Sequence, residues 1–253
     1  MLATESSNGI LMGLNQAELD SLRESSEDFA LERGAIVAEA GEAAPFVYFP
    51  TCGVLSLVGT TAAGATVELA VVGNEGVASV SAILGNNWLP FRVVTQVPGR
   101  ALRVPTAVVT ALVSEGGHLQ QRVLDYTHEM LAQVAQSAIC NRFHNAKQRL
   151  ARWLMMTADR ADSSELPLTH EFISSMVGGP RSAVTEAAAE LRDAGAIDYR
   201  RGLIVIRDGG RLREISCECY GILQGSNGNG GSANTSGRGA DGDGRLEAAT
   251  VTE

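Results

Sequence analysis

Features that mark membrane and secreted proteins are missing from this sequence. No apolar run approaches the roughly 20 residues that cross a bilayer. No secretory signal peptide is visible, since the first basic residue is Arg23 and no apolar segment precedes it. The 253 residues include four cysteines, which do not make a disulfide framework. These absences predict a cytoplasmic protein.

Catalytic sequence motifs are missing as well. The chain contains no G-x-S-x-G, no P-loop, no H-E-x-x-H and no cluster of His, Cys and Asp at a usable spacing. The histidines of a predicted long helix, His118, His128 and His144, do not follow the i, i+4 spacing of a helical metal pair. We therefore expect surface or interface histidines, and no enzymatic activity.

The spacing of the cysteines argues against a metal site. Cys217 and Cys219 form a single C-x-C pair, whereas Cys52 and Cys140 lie far away in the sequence. One such pair lacks the two further ligands that a tetrahedral site needs. We therefore expect structural thiols rather than a redox switch, with no metal and no cofactor.

The chain also lacks an overall positive charge, but its charges are unevenly distributed. The net charge is -9 at pH 7. Residues 141–213 nevertheless carry 12 Lys and Arg against 9 Asp and Glu, whereas the remainder carries 8 against 20. This local basic excess is compatible with nucleic acid as a partner, bound non-specifically with weak and salt-sensitive affinity.

Within that segment, residues 168–207 follow the pattern of a helix-turn-helix. Thr169 is placed to cap the first helix, because its side-chain oxygen can satisfy free backbone N–H groups. Gly178-Gly179 permits a sharp turn, and Pro180 suits the first turn of the second helix. Apolar residues recur at helical spacing and predict one buried stripe in each helix: Phe172, Ile173, Met176 and Val177, then Val184, Ala187, Ala188 and Leu191.

The second helix and a following β-hairpin carry the polar residues of this segment. Strands predicted at residues 196–199 and 203–206 join through a basic tip. A recognition helix enters the major groove with its N-terminus first. An arginine there can donate two hydrogen bonds to guanine. Arginines at the tip of the hairpin can contact phosphates beside the groove. We therefore predict DNA contacts by Thr169, Arg181, Ser182, Thr185, Glu186, Arg200 and Arg201. A helical hairpin that serves only for packing, or for protein contacts, is the alternative.

Residues from about 146 to 220 resemble the DNA-binding domain of the Crp/Fnr family of bacterial transcription regulators. The resemblance rests on these segments: Ala151-Arg152-Trp153-Leu154, Leu168-Thr169-His170-Glu171-Phe172, Val177-Gly178, Arg181-Ser182-Ala183-Val184-Thr185, Gly195-Ala196-Ile197 and the tail Ser216-Cys217-Glu218-Cys219-Tyr220-Gly221. It implies that Arg181 reads a guanine. Ser182 and Glu186 stand where the family has an acidic and a basic reader, so the base preference should differ. The iron–sulfur branch of the family needs an N-terminal cysteine cluster, which this sequence lacks.

The first half of the chain alternates between short strands and turns. Asn15 and Glu18 resemble a capping box before a short helix. Strands are predicted at residues 35–38, 46–49, 54–58, 66–72, 92–97 and 100–104, separated by glycine and proline. Such a series predicts a sandwich or roll. A roll, a long helix and then a winged helix-turn-helix is the order of domains in the Crp/Fnr family.

The predicted fold class is therefore α+β, with five parts. They are a disordered N-terminus (1–10), an antiparallel, jelly-roll-like β-roll sensor domain (11–116), a long dimerisation helix (117–145), a winged helix-turn-helix domain (146–222) and a disordered low-complexity tail (223–253). The long helix carries two stripes that repeat every seven residues: Val123, Met130 and Ser137, and Leu124, Leu131 and Ala138. They predict a homodimer seam, or else two stripes buried within one subunit.

The resemblance makes a cyclic nucleotide a candidate effector, but the residues argue against it. The family's pocket uses a Gly-Glu pair and a later Arg-Ser or Arg-Thr pair to hold the ribose and the phosphate. Here Ala78-Ser79 replaces Gly-Glu, and Arg92 is followed by Val93. A buried phosphodiester without a well-placed cation is costly, so we expect no control by cyclic AMP. A different effector pocket would be lined by Ala78, Ser79, Trp88, Phe91 and Arg92, although such aromatic residues are more often simply core.

These features predict a sequence-specific transcription regulator that binds double-stranded DNA as a homodimer on a pseudo-palindromic operator. RNA polymerase is a further partner if the protein is an activator, and an unidentified small molecule is a candidate effector. Two alternatives stay open. One is a small-molecule sensor that acts through protein contacts with little DNA reading, and the other is a true cyclic-nucleotide-responsive regulator.

Overall fold

The computed structural model describes residues 7–85, 88–200 and 202–228. After a short 3-10 helix, the first part contains α1 (Gln16–Glu24), β1 (Glu27–Leu31), β2 (Ile36–Ala38), β3 (Phe46–Thr60), β4 (Thr66–Val72), α2 (Val80–Ile83), β5 (Arg92–Pro105) and α3 (Thr106–Glu115). The remainder contains α4 (His118–Phe143), α5 (Ala146–Ala161), β6 (Glu165–Leu166), α6 (His170–Val177), α7 (Arg181–Asp193), β7 (Ile197–Arg200), β8 (Leu203–Ile206), α8 (Gly209–Ile215) and α9 (Cys219–Gly228). An antiparallel sheet domain, a long helix and a C-terminal winged helix-turn-helix confirm the predicted α+β class.

A five-stranded antiparallel sheet forms the N-terminal domain, which the sequence predicts to be a sensor domain, in the order β1-β5-β3-β4 with β2 also paired to β5. Four of the predicted strands are the halves of two long strands, β3 and β5. Their internal glycines and prolines suggested turns, but the β3–β5 ladder instead shifts register between Pro50 and Leu55. Gly53 has a φ of +83°, and a Cβ on Gly99 would lie 2.2 Å from the Cys52 carbonyl oxygen. The two glycines therefore let the strands bulge there while they stay paired.

Strand β3 belongs to two hydrophobic cores at once. Leu55 and Leu57 pack in the core of the sensor domain, beneath α3 and α4. Val54 and Val58 point to the other face of the sheet and pack in the core of the C-terminal winged helix-turn-helix domain. This division follows from the alternation of side chains along a strand. The two domains of one chain are therefore in direct apolar contact.

Ordered structure begins earlier in the chain than the sequence indicated. Asn15 forms the predicted capping box with Glu18. Residues 1–10 were expected to be disordered, but Asn8 and Ile10 are buried. The Asn8 amide nitrogen donates hydrogen bonds to the carbonyl oxygen of Pro50 at 2.9 Å and to that of Gly76 at 2.8 Å. This corrects the prediction for residues 7–10, and residues 1–6 lie outside the described part of the chain.

Helix α4 connects the sensor domain to the C-terminal domain. Val123 and Met130 are buried within the chain, whereas Leu124 and Leu131 are 50% and 67% exposed. At the far end, α9 runs to Gly228, past the predicted boundary at 222, and the rest of the predicted tail lies outside the described residues. Among the helices in the described ranges, none combines the length and the hydropathy required to cross a bilayer.

The winged helix-turn-helix is built on helix α5. Leu150 and Leu154 of α5 are fully buried in one core with Ile173 of α6 and Leu191 of α7. Beside the helices lies a three-stranded antiparallel sheet in the order β6-β8-β7. Strands β7 and β8 form the predicted hairpin.

Candidate nucleic-acid interface

Helices α6 and α7 are joined by the turn that the sequence predicted. Thr169 caps α6, where its Oγ1 accepts a hydrogen bond from the Phe172 N–H at 3.2 Å. Gly178 and Gly179 have φ values of +72° and +117°, which residues with a Cβ rarely adopt. Arg149 Nη2 donates to the Gly178 carbonyl oxygen at 2.9 Å, which anchors the turn to α5. The turn therefore holds α7 at a fixed angle to the rest of the domain.

Helix α7 separates its apolar and polar residues as predicted. Its buried residues are Val184, Ala187, Ala188 and Leu191. Its exposed residues near the N-terminus are Arg181, Ser182, Thr185 and Glu186. The Thr185 hydroxyl donates to the carbonyl oxygen of Arg181 at 3.0 Å. The first turns of α7 thus present a cation, two hydroxyl groups and a carboxylate to solvent.

The hairpin of β7 and β8 carries arginines that are partly neutralised. Asp198 Oδ2 lies 3.2 Å from Arg200 Nε and 3.0 Å from Arg207 Nη2. The hydrogen bond from Arg207, helped by Arg200, holds the pKa of Asp198 below its ordinary value. Arg200 is exposed, whereas Arg201 lies outside the described residues. The hairpin therefore offers less free positive charge than a count of its arginines suggests.

Acidic side chains also lie beside α7. Lys147 Nζ of α5 is 2.7 Å from Glu190 Oε2 of α7. With Glu186 and Asn145, these two residues line a shallow depression between the two helices. The surface around α7 is therefore of mixed charge, so contacts with a polyanion would depend on particular arginines more than on a broad positive field.

The residues of the candidate effector pocket have partners within the sensor domain. Arg92 Nε donates to Glu39 Oε1 at 2.7 Å in a half-buried ion pair. This hydrogen bond lowers the pKa of Glu39. Ala78 and Ser79 are buried, and Ala78 exchanges backbone hydrogen bonds with Tyr48. The guanidinium expected to face an effector is therefore already paired.

The two aromatic residues of that candidate pocket differ in exposure. Trp88 is 49% exposed and forms an isolated β-bridge with Ala43. Phe91 is half-buried and packs against the sensor-domain core, as the alternative interpretation anticipated. An effector pocket formed by these residues stays a prediction.

Four potential metal ligands lie together where the sequence suggested isolated thiols. Cys140 of α4 and His144, the residue directly after α4, approach Cys217 and Cys219, and one ligand atom of each of the four lies within 4.8 Å of all the others. Cys140 lies far from the C-x-C pair in the sequence, and the spacing of the histidines predicted a surface or interface position for His144. Folding brings the end of α4 against the start of α9, which distance along the chain did not reveal. The i, i+4 spacing of Cys140 and His144 was the signal available in the sequence.

Family models match both halves of the chain. A model described as "Cyclic nucleotide-binding domain" matches residues 29–115. A second, described as "Crp-like helix-turn-helix domain", matches residues 148–215 and so includes all of α6, α7 and the hairpin. No curated protein sequence gives a significant match.

Solved structures of transcription regulators superpose on most of the chain. A Crp/Fnr family regulator from Eubacterium rectale is 16% identical and covers 83% of this chain and 99% of its own, with a TM-score of 0.65. FixK2 from Bradyrhizobium japonicum is 15% identical, with coverages of 76% and 98% and a TM-score of 0.65. The c-di-GMP responsive regulator CLP from Xanthomonas campestris is 13% identical, with coverages of 77% and 100% and a TM-score of 0.63. At such identities the similarity shows a shared fold.

Proposed function

Because the chain belongs to the Crp/Fnr family of DNA-binding transcription regulators, which are not enzymes, we propose that it acts as a homodimer on a pseudo-palindromic operator without control by cyclic AMP. The observation that carries this proposal is the first turn of α7. There Arg181, Ser182 and Thr185 are exposed, while the opposite face of the helix is buried. A helix presented in this way suits entry into the major groove by its N-terminus.

Base reading would fall to three side chains of α7. Arg181 matches the family's guanine-reading arginine, and its fork of N–H groups suits the two acceptors of guanine in the major groove. Ser182 replaces an acidic reader and Glu186 a basic one. A carboxylate at the groove face accepts hydrogen bonds from the amino group of cytosine or is repelled by phosphate. The operator should therefore differ from those of relatives with the common reader set.

Phosphate contacts would come from both sides of α7. Thr169 is exposed at the N-terminus of α6, where backbone N–H groups and a hydroxyl favour an anion. Arg200 and Arg201 lie at the tip of the hairpin in the sequence. Such contacts fix the register of the protein on the duplex without reading its sequence.

An exposed apolar stripe on α4 supports the homodimer. Of the two heptad stripes, the one with Val123 and Met130 is buried inside the chain. The other leaves Leu124 and Leu131 largely exposed, and Ala138 is also exposed. Residues spaced by seven on one helix face form a coiled-coil seam when a second copy packs against them. A two-fold dimer through α4 would place two copies of α7 for two operator half-sites.

The sensor domain supports independence from cyclic AMP. Arg92, at the position nearest to the family's phosphate-binding arginine, is paired with Glu39 at 2.7 Å. Ala78, which replaces the pocket glycine, is buried and bonded to the Tyr48 backbone. A cyclic phosphate would have to displace a carboxylate from Arg92, which costs binding free energy.

Selection of bound sites from a random duplex pool tests this proposal. We expect the ligand-free protein to enrich a two-fold symmetric motif whose half-sites are about one helical turn apart. Addition of cyclic AMP should change neither the motif nor the affinity. An asymmetric single site would contradict the dimer, and enrichment that requires cyclic AMP would contradict the proposed independence. Failure to enrich any sequence with or without cyclic AMP would favour action through protein contacts.

A further inference from the structure

We propose that Cys140, His144, Cys217 and Cys219 form a tetrahedral site for a zinc ion that joins the end of α4 to the start of α9. Four potential ligand atoms, three sulfurs and one imidazole nitrogen, all lie within 4.8 Å of one another. The three thiols are 0–3% exposed. The His144 side chain is 11% exposed. Three thiolates and one imidazole are a common ligand set of structural zinc sites.

The distances between the ligand atoms fit a single small ion. The sulfurs of Cys140 and Cys217 are 3.6 Å apart, and Cys219 Sγ lies 3.5 Å from His144 Nδ1. Zn–S bonds of about 2.3 Å and Zn–N bonds of about 2.0 Å at tetrahedral angles separate two sulfurs by about 3.8 Å and a sulfur from a nitrogen by about 3.5 Å. Both observed separations agree with these values. A multi-iron cluster would hold its ligands around several metal atoms and so spread them further apart.

Local structure presents the ligands as two pairs. Cys140 and His144 are four residues apart at the last turn of α4, where the His144 N–H donates to the Cys140 carbonyl oxygen at 3.1 Å. Residues at this spacing share one face of a helix. Cys217 and Cys219 flank a single residue between α8 and α9. The chain returns to α4 at that point, so the second pair meets the first.

Neighbouring side chains orient these ligands as they do at known metal centres. His144 Nε2 lies 3.2 Å from Glu218 Oε1, which leaves Nδ1 directed towards Cys219. A metal-bound histidine commonly gives its other N–H to a carboxylate, which fixes the tautomer and strengthens the ligand. Gln136 Nε2 donates to the Cys219 sulfur at 3.0 Å, a contact that stabilises a thiolate. Neither contact is needed for three buried thiols to pack.

The charge balance around the cluster is a separate argument for an anionic centre. Arg152 is 8% exposed, and its Nε and Nη1 have no hydrogen-bond partner among the described residues. Arg152 and Cys140 line the same small cavity. A buried guanidinium with unpaired N–H groups is costly. The Glu68 carboxyl group lines the same cavity and interacts electrostatically with Arg152, but it accepts no hydrogen bond from Nε or Nη1. A zinc ion with three thiolates carries a net charge of −1, which would add to the compensation of that buried cation.

The site would act on the joint between the two domains. Helix α4 ends at Phe143 and α5 begins at Ala146, so His144 lies in the joint itself. An ion bound to α4 and to the α8–α9 junction would limit rotation of the C-terminal domain relative to α4. This consequence rests on the proposed dimeric function, whereas ion binding does not. Loss of zinc would then change the separation of the two α7 helices.

Metal content of the full chain tests the site without reference to DNA. We expect native mass spectrometry of protein purified under reducing conditions to show one zinc per chain. After removal of zinc by a chelator, Co²⁺ should bind with the thiolate charge-transfer and tetrahedral d–d absorption bands, and zinc should displace it. Reduced wild-type protein that binds neither ion stoichiometrically, or a Cys140–Cys217 disulfide with no bound metal, would overturn the proposal.

Variants distinguish metal ligation from packing. Cys217→Ser and Cys219→Ser should abolish the Co²⁺ charge-transfer bands, whereas Cys52→Ser, an exposed thiol of β3 outside the cluster, should leave them unchanged. His144→Ala should weaken Co²⁺ affinity at least about tenfold, and His144→Cys should restore tight binding through four thiolates. Glu218→Gln should lower the affinity by about 10- to 100-fold. Equal metal affinity in Cys52→Ser and Cys217→Ser protein, with native circular dichroism, would contradict the assignment.

Discussion

The indole N–H of Trp153, on α5, donates a hydrogen bond of 2.8 Å to the carboxylate of Glu68, on β4. The Ser56 hydroxyl donates to the other carboxylate oxygen at 2.7 Å. Burial raises the pKa of Glu68 to about 7, against the opposing effect of these two hydrogen bonds and of the charges on Arg152 and Arg160. A carboxyl group that titrates near neutrality therefore lies in the contact between the sensor sheet and the DNA-binding domain.

This contact predicts a specific pH dependence of stability. A carboxyl group with a raised pKa binds more protons in the folded than in the unfolded chain, so the free energy of unfolding falls as the pH rises through the interval between the two pKa values. The stabilising contribution of Glu68 to the free energy of unfolding should be fully present below about pH 4.5 and lost above about pH 7. Urea unfolding of the wild type and of Glu68→Gln at several pH values between 4.5 and 8 measures it.

The Glu68→Gln variant should lack this part of the pH dependence, because an amide resembles the protonated acid and does not titrate. Its stability relative to the wild type should therefore increase with pH. Glu32→Gln, at an exposed position of the same domain, should follow the wild-type profile. Parallel profiles for wild type and Glu68→Gln would show that Glu68 does not titrate in this range.

A second prediction concerns the buried amide of Asn8. Its nitrogen donates to the carbonyls of Pro50 and Gly76, and its oxygen accepts from the N–H groups of Ile10 and Leu11. Asn8→Ala removes all four bonds and leaves buried groups unpaired, each at a cost of about 1–3 kcal/mol. We expect a loss of at least about 2 kcal/mol in the free energy of unfolding, measured by urea titration.

Exposed Gln16 provides the matched comparison for Asn8. Its side chain bonds only to Asp20 among the described residues. Gln16→Ala should cost less than about 0.5 kcal/mol. Equal costs for the two variants would contradict a structural role for Asn8.

Local sequence signals were sufficient to predict the helix-turn-helix. The cap at Thr169, the glycines before Pro180 and the helical spacing of apolar residues act between near neighbours in the chain. The bounds of β8 were correct for the same reason. The exposed positions of α7 also followed from helical period alone, which is why the candidate DNA-contacting residues could be named in advance.

Long-range pairing was less predictable. Gly53 and Gly99 resemble turn residues when each is viewed alone, and their mutual approach across a bulge shows why the strands continue. Cys140 and Cys217 are 77 residues apart, so no spacing rule joins them. Glu68 likewise has no sequence signal for its contact with Trp153, because that contact depends on how two domains pack.

The exposed stripe of α4 gives a third prediction. Leu131 is 67% exposed, so Leu131→Glu should leave the folded subunit intact while placing a charge in the proposed seam. Two apposed carboxylates in an apolar seam should shift the protein from dimer to monomer in sedimentation equilibrium. Ala62→Glu adds the same charge at an exposed position in the turn between β3 and β4, away from α4, and should remain dimeric. If the Leu131→Glu protein sediments as a dimer, the dimer interface does not lie on α4.

The first residue of α7 gives the last prediction. Arg181 is exposed, so its truncation should not affect folding. If it donates two hydrogen bonds to a guanine, Arg181→Ala should weaken specific binding by about 1–3 kcal/mol per contacted half-site and relax preference at that one base pair. Arg192→Ala, at the other end of the same helix and 58% exposed, removes the same charge away from the groove and should not alter base preference. Competition binding against operators substituted at each position measures both effects. A uniform loss of affinity over all sequences would instead assign Arg181 to a phosphate, because a phosphate contact carries no information about the base.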